Sequence, residues 1–301
     1  MFPPRFDYER PDSLDDALDA LAAPDAVPLA GGHDLVPLLK ARERDPETVV
    51  DLGGLGELRG VGRVAVDDAD GATERISIGA LTTDAELLDA EPAGIDVLLD
   101  ATAAVGDAQI RNRGTVGGNL AAAHPASDIP AATVAADATL HLVGPDGDRT
   151  VPAEGFATGD HETVREDDEL LTRISIPLAS DASGGYARET HPSTGYASVG
   201  VAARLRVVDG SVADPRVAAV GLCDAPVRLR AVERELDGAD AGSPVDSVTD
   251  AAAKAGDRVD GPVREDHVVS AEQRRTLLSA CAEDAVTEAV ARAVGREGVA
   301  P

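Results

Sequence analysis

Two stretches of this 301-residue chain carry the residue types that hold a phosphate. The first is Pro28 to Lys40, PLAGGHDLVPLLK, in which Gly31–Gly32 fall between an apolar strand and a helix. A strand ending in two glycines exposes successive backbone N–H groups and allows a phosphate to approach closely, and the helix dipole adds positive potential there. The second is Gln109 to Pro130, QIRNRGTVGGNLAAAHPASDIP, where Thr115 and Asn119 flank Gly117–Gly118 and Asp128 follows. Thr115 and Asn119 can donate to phosphate oxygens, whereas Asp128 can accept from a hydroxyl and would repel a phosphate. Each stretch also has a plainer reading, the first as a tight turn and the second as a loop held by its own Asn and Asp side chains. No Ser/His/Asp nucleophile set and no paired carboxylates stand out, so no catalytic residue is assigned.

The flanking patterns describe the elements that must position these stretches. Ser13 with Asp16 reads as a capping pair for a helix with Leu14, Ala17, Leu18 and Leu21 on one face. A short strand, Val27 to Ala30, leads into Gly31–Gly32; Asp34 then caps a second helix, with Pro37 in its first turn. ETVVDL, ending at Leu52, is a further strand. RVAV and RISIGAL read as strands about the turn DDADG, and Thr83 with Glu86 caps a short helix. GIDVLLDATAAVG and AATVAADA read as helices with the Gln109–Pro130 loop region between them, then TLHLV, RTVPA and LLTRISIPL as strands. The Ser/Gly-rich Ala179–Gly185 is the candidate linker. Beyond it come antiparallel strands around Asp209–Gly210 and three helices, the last capped by Ser270 with Gln273. This order of elements indicates α+β and not one doubly wound sheet.

Composition narrows the function classes. The formal net charge is −28, and Lys40 and Lys254 are the only lysines. Acidic residues are spread along the whole chain, which describes a uniformly acidic folded surface of the kind found in salt-loving organisms. A nucleic-acid-binding role is not expected of such a surface. No apolar run is long enough to span a membrane and the N-terminus has no secretory pattern, so a cytoplasmic protein is the expectation. Cys223 and Cys281 are read as buried thiols, too few to hold an iron–sulfur cluster. Histidines 33, 124, 141, 161, 191 and 267 show no metal-ligand spacing, and no metal site is expected.

AGGHDLVPLLK, DLGGLGELRG, IGALTTDAEL and QIRNRGTVGGNLAAAHPASD, in that order, resemble the successive signatures of the FAD-binding medium subunit of the molybdenum hydroxylases. That family includes aerobic carbon monoxide dehydrogenase and xanthine dehydrogenase. FPPRFDYERPDSLDDALDAL and DAPVRLRAVERELDG extend the resemblance over nearly the whole chain. It implies a two-lobed FAD-binding region of the vanillyl-alcohol-oxidase (PCMH) type, residues 1–53 and 54–178, and a smaller C-terminal domain, residues 186–301, of antiparallel sheet plus helices. It implies a first diphosphate turn at Ala30, Gly31, Gly32, His33 and Asp34, with Leu35 opening the helix. A second is implied at Thr115, Val116, Gly117, Gly118 and Asn119, and Asp128 matches a flavin-contacting aspartate. Asp34 replaces the family's serine and is expected to cap the helix and face away from the diphosphate. In HPSTGYASVGVAA, Thr194–Gly195 replaces the family's Gly-Asp pair, and Tyr196 either lies against the flavin ring or packs as an ordinary aromatic on a strand. Arg111 and Arg113 are read as loop salt bridges or partner contacts.

By the same resemblance, substrate is oxidised at a molybdopterin centre in a large subunit. Electrons then pass through a small subunit with two [2Fe-2S] clusters to FAD in this chain, and on to an external acceptor. A stand-alone FAD-dependent oxidoreductase of the same flavin-binding fold, or a non-catalytic acidic scaffold, are the rival readings.

Overall fold

The computed structural model describes residues 2–68, 71–179, 181–242 and 262–297. Local capping builds the first helix of the N-terminal unit where the sequence puts it. Strands β1 (Asp7–Glu9), β2 (Ala26–Leu29) and β3 (Thr48–Asp51) form a parallel sheet in the order β1-β3-β2. Helix α1 (Leu14–Leu21) is capped by Ser13, whose Oγ accepts from Asp16 N at 3.1 Å. Helix α2 (Leu35–Ala41) ends in a left-handed Arg42. The core here joins Ala17, Leu21, Val50 and Leu52 to Leu81 and Leu170 of the next unit, so the two units share apolar packing.

The second unit is an antiparallel five-stranded sheet built from β4 (Val61–Asp68), β5 (Gly71–Gly79), β6 (Thr139–Gly144), β7 (Gly147–Pro152) and β10 (Leu170–Pro177). Its order is β4-β5-β10-β6-β7, with β8 (Ala157–Gly159) and β9 (Glu162–Thr163) pairing separately. Helix α3 (Asp84–Ala90) has the complete Thr83–Glu86 capping box. Helices α4 (Asp96–Ala104), α5 (Ala108–Arg111), α6 (Val116–Ala122) and α7 (Asp128–Ala135) follow. The region expected to be a loop before Pro130 is therefore largely helical. Asp107 Oδ1 accepts from Gln109 N at 2.8 Å and Ile110 N at 2.9 Å, nucleating α5. The glycine-bearing first turn of α6 is held by non-local bonds, Val116 N to Thr82 O at 3.0 Å and Gly117 N to Ala80 O at 2.9 Å. Tertiary contact here outweighs the poor helix propensity of glycine.

The C-terminal sheet, β11 (Ala182–Thr190), β12 (Ala197–Val208), β13 (Ser211–Val220) and β14 (Val227–Arg228), is antiparallel in chain order. The β12–β13 turn has Asp209 at φ 50° and Gly210 at φ 76°, the positive pair a two-residue hairpin prefers. One face of this sheet meets α4 and α7, and the other meets α9 (Ala271–Glu297), with α8 (Arg230–Leu236) alongside β13. Ser270 and Gln273 cap α9 reciprocally, at 2.8 and 3.2 Å. The Ser/Gly-rich linker is corrected, because residues from Ala182 onward are buried strand. A Cβ on Gly184 would sit 2.6 Å from Val97 Cβ, and one on Gly185 2.5 Å from Ala285 O. These glycines allow the sheet to be clamped between α4 and α9; they do not mark a flexible joint. The helix expected over residues 247–259 lies outside the described residues.

Candidate functional site

The three units meet around a cavity of about 1020 Å³ lined by both glycine segments, Asp128 and the loop that ends at Tyr196. Its first wall begins where β2 ends. Gly32 has φ +81°, and a Cβ on Gly31 would stand 2.3 Å from Arg113 O, so Gly31 seals the turn against the second unit. His33 Nε2 donates to Ile110 O at 2.9 Å, tying the same turn to α5. Among the described residues, the backbone N–H groups of Gly32, His33, Asp34 and Leu35 donate to no protein acceptor. Ala30 through Leu35 all line the cavity.

Asp34 departs from expectation. It occupies the N-cap position with φ −93° and ψ −54°, and its side chain makes no capping bond. A capping side chain reaches back from an extended residue; from this helical backbone it does not. Asp34 instead lines the cavity, and its charge acts on His124 and Tyr196.

The second segment contributes side chains more than backbone donors. Thr115 Oγ1 accepts from Gly118 N at 3.1 Å, and Asn119 N bonds Thr115 O at 2.9 Å. With Val116 N and Gly117 N already answered by Thr82 and Ala80, these donors are spent within the protein. A Cβ on Gly117 would lie 2.5 Å from that of Ala80. Thr115, Gly117, Gly118 and Asn119 line the cavity. Val116 does not, because its side chain is fully buried in the core of the second unit. Asn119 Oδ1 is buried and has no protein partner among the described residues.

Asp128 opens α7 and is 4% exposed. Its Oδ1 accepts from the Tyr186 hydroxyl at 2.6 Å and its Oδ2 from Arg188 at 2.8 Å. Burial raises its pKa, and Arg188 and Tyr186 oppose that rise. The hydroxyl that Asp128 accepts from is thus the protein's own. Tyr186 and Arg188 alternate on β11, so one strand face delivers both; sequence reading placed the linker at this strand's start and singled out neither. Tyr196 stacks on His124, with ring centroids 4.1 Å apart and 17° between planes, and His161 meets His124 edge-on at 5.3 Å. His124 Nδ1 accepts from Ala126 N at 3.2 Å. Burial first, then neighbouring His161, lowers its pKa against the opposing pull of Asp34 and Asp160.

Two further residues qualify the sequence reading. Asp84 lines the cavity yet is 1% exposed, and burial lifts its pKa to about 7 against the opposing charge of Arg111. Its Oδ1 has no protein partner among the described residues. Arg111 donates to Val105 O at 2.7 Å and Gly106 O at 3.2 Å, so among the described residues it braces the loop through carbonyls, not through an ion pair. Among the described residues, no group of three or more His, Cys, Asp or Glu side chains is placed to hold a metal.

Residues 4–179 match the family model described as the FAD binding domain in molybdopterin dehydrogenase. The carbon monoxide dehydrogenase medium chain of Hydrogenophaga pseudoflava is 37% identical over 235 residues, 76% of this chain and 78% of that one. The glyceraldehyde dehydrogenase medium chain of Sulfolobus acidocaldarius is 34% identical over 281 residues, 92% of this chain and 96% of its own. Among solved structures, a carbon monoxide dehydrogenase of Hydrogenophaga pseudoflava superposes with a TM-score of 0.86 at 32% identity, covering 97% of this chain and 99% of that one. The matched domain, with relatives aligned along most of their length, shows that this chain belongs to the FAD-binding medium subunits of the molybdenum hydroxylases.

Proposed function

We propose that this chain holds FAD in the central cavity and serves as the electron-transfer subunit of a molybdenum hydroxylase. The observation that carries this reading is the row of four unanswered backbone donors, Gly32 to Leu35, lining a cavity of about 1020 Å³. That volume is at the upper end of the roughly 300–1,000 Å³ typical of organic-ligand pockets. The orphaned Oδ1 of Asn119 in the second glycine segment also fits a ligand that brings its own hydroxyl donors. In this reading the Gly32–Leu35 donors hold the diphosphate, with Thr115 and Asn119 of the adjoining segment lining the same cavity. Asp128, fixed by Tyr186 and Arg188, sets the position of β11 at the wall. The Tyr196–His124 stack supplies a flat aromatic surface beside the cofactor ring.

The chemistry FAD supplies when bound is electron transfer from a reduced partner centre to an external acceptor. The residues here bind and orient it and exclude water. In the proposed assembly a large molybdopterin subunit oxidises the substrate and a small [2Fe-2S] subunit delivers the electrons, as the resemblance implies. Residues 1–53 and 54–178 are then the two lobes of a vanillyl-alcohol-oxidase-type fold, and the four-stranded sheet with its helices is the smaller C-terminal domain. A cytoplasmic setting suits two reduced thiols. No helix among the described residues is long and apolar enough to cross a membrane.

Asn119→Asp tests the site with little change of shape. It places a carboxylate on the wall proposed to face a diphosphate, so flavin absorbance should fall from near 1:1 to a small fraction while circular dichroism is unchanged. Full flavin occupancy in the variant would refute the assignment of this wall. Gly32 and Gly118 are poorer probes. Gly32 needs its positive φ, and a Cβ on Gly118 would press to 2.6 Å from the capping Thr115 Oγ1.

A further inference from the structure

The outer face of the five-stranded sheet runs against the composition of the chain. The chain has 55 acidic and 27 basic residues, so most surface regions of this size should carry an excess of carboxylates. Residues directly opposite across paired strands share a face, and the face away from the Ile76, Ile78, Ile174 and Ile176 core can be followed through the register. Its three central rows place Arg75, Ser77, Ser175, Thr139, Arg173 and His141 side by side, with no carboxylate among them. The nearest acid on that face by register is Asp148, one row on, at the end of the β6–β7 hairpin. The helices contributing to this sheet's core, α3, α4, α6 and α7, belong to the isoleucine side.

The side chains on this face are ordered. Arg173 donates to His141 Nδ1 at 3.0 Å, which leaves the imidazole proton on Nε2, facing Ser175 Oγ at 2.9 Å. Arg75 reaches Thr139 Oγ1 at 3.2 Å. His141 is held neutral, its pKa pushed down to about 4 by burial first and then by the charges of Arg173 and Arg75. Arg173 is exposed, and among the described residues no carboxylate lies within ion-pair distance of it. A guanidinium spending a donor on a neutral imidazole keeps its full charge and the rest of its planar fork for an outside acceptor.

Resting on the reading of this chain as one subunit of a larger oxidoreductase, we propose that this sheet face docks an acidic segment of a partner subunit, with Arg173 at the centre of the contact. Carboxylates on that segment complement the only charge sign the three rows display, and Arg–carboxylate forks give register as well as attraction. The face also suits assembly at high salt. At about 1 M salt the Debye length falls to roughly 3 Å, which screens repulsion between acidic surfaces but leaves a direct contact pair in place.

The test is coexpression of the chain with its large and small partner subunits, followed by sizing of the complex in concentrated KCl. Wild type, Arg173→Gln and Arg173→Glu are compared. Arg173→Glu should weaken assembly by roughly tenfold or more, the range that opposed charges reach across an interface, with Arg173→Gln between. Flavin occupancy of the isolated chains, an independent readout of folding and of the cofactor site, should be unchanged in both. Assembly of Arg173→Glu at wild-type affinity would overturn the docking surface while leaving the subunit reading in place. A flavin-loaded wild-type chain that retains neither partner would overturn both. If Arg173→Glu fails to fold, the neutral Arg173→Gln decides: unchanged assembly refutes the inference.

Discussion

Asp84→Asn isolates the energetic consequence of burying a carboxyl beside the cofactor cavity. Asp84 is 1% exposed, its Oδ1 lacks a protein partner among the described residues, and its pKa rises from 3.8 to about 7. Desolvation is the main cause, and the nearby Arg111 only partly offsets it. The unfolded chain releases this proton near pH 4, while the folded chain keeps it until about pH 7. Between those values folding takes up a proton, so stability is greatest below pH 4, declines as pH rises, and levels off above pH 7. At about 1.4 kcal/mol per pH unit, the two units between pH 5 and pH 7 amount to roughly 3 kcal/mol. Asparagine has nearly the same shape and no such proton. Urea unfolding of both proteins at pH 5 and pH 8, in the same salt, should show the stability of Asp84→Asn relative to wild type increasing by roughly 3 kcal/mol. A relative stability that is the same at both pH values would refute the reasoning, because it would mean that Asp84 is ionised in the fold throughout.

Two further outcomes follow from contacts around the same cavity. Tyr186→Phe removes one of the two donors to the buried Asp128 and should cost about 1.5–3 kcal/mol, the range for a hydrogen bond to a charged group. A loss below about 0.5 kcal/mol in urea unfolding would show that Arg188 alone satisfies that carboxylate. Gly31→Ala brings a Cβ to 2.3 Å from Arg113 O, so the first turn must move off the second unit, at a cost of about 1–3 kcal/mol. Flavin occupancy should fall with it, and an alanine variant with full occupancy and unchanged stability would show that this joint tolerates opening.

Local chemistry was legible in the sequence because it depends on residues a few positions apart. The caps at Ser13, Thr83 and Ser270, the Asp209–Gly210 turn and the strand ending before Gly31–Gly32 are of this kind, and all occur where the sequence puts them. The two glycine segments of the cavity lining were legible too, because the glycine motifs fall in one order along the chain. The structure decided which of their atoms remain available. In the first segment the donors are unanswered; in the second they are taken by Thr82, Ala80 and Thr115, and the buried Val116 serves the core.

What one-dimensional reading missed depends on groups brought together from distant positions. Asp128 meets Tyr186 and Arg188 from 58 and 60 residues away, and the protonation of Asp84 depends on burial, which has no local signature. Gly184 and Gly185 read as a flexible joint until α4 and α9 are placed on either side. Asp34 read as a cap until its backbone angles were known. The sequence by itself determined the family and the cofactor, because ordered motifs and local caps survive without a third dimension. Only the tertiary structure decided which donors face the cavity, which carboxyls keep a proton and which sheet face is basic, because desolvation and pairing across strands are set by packing.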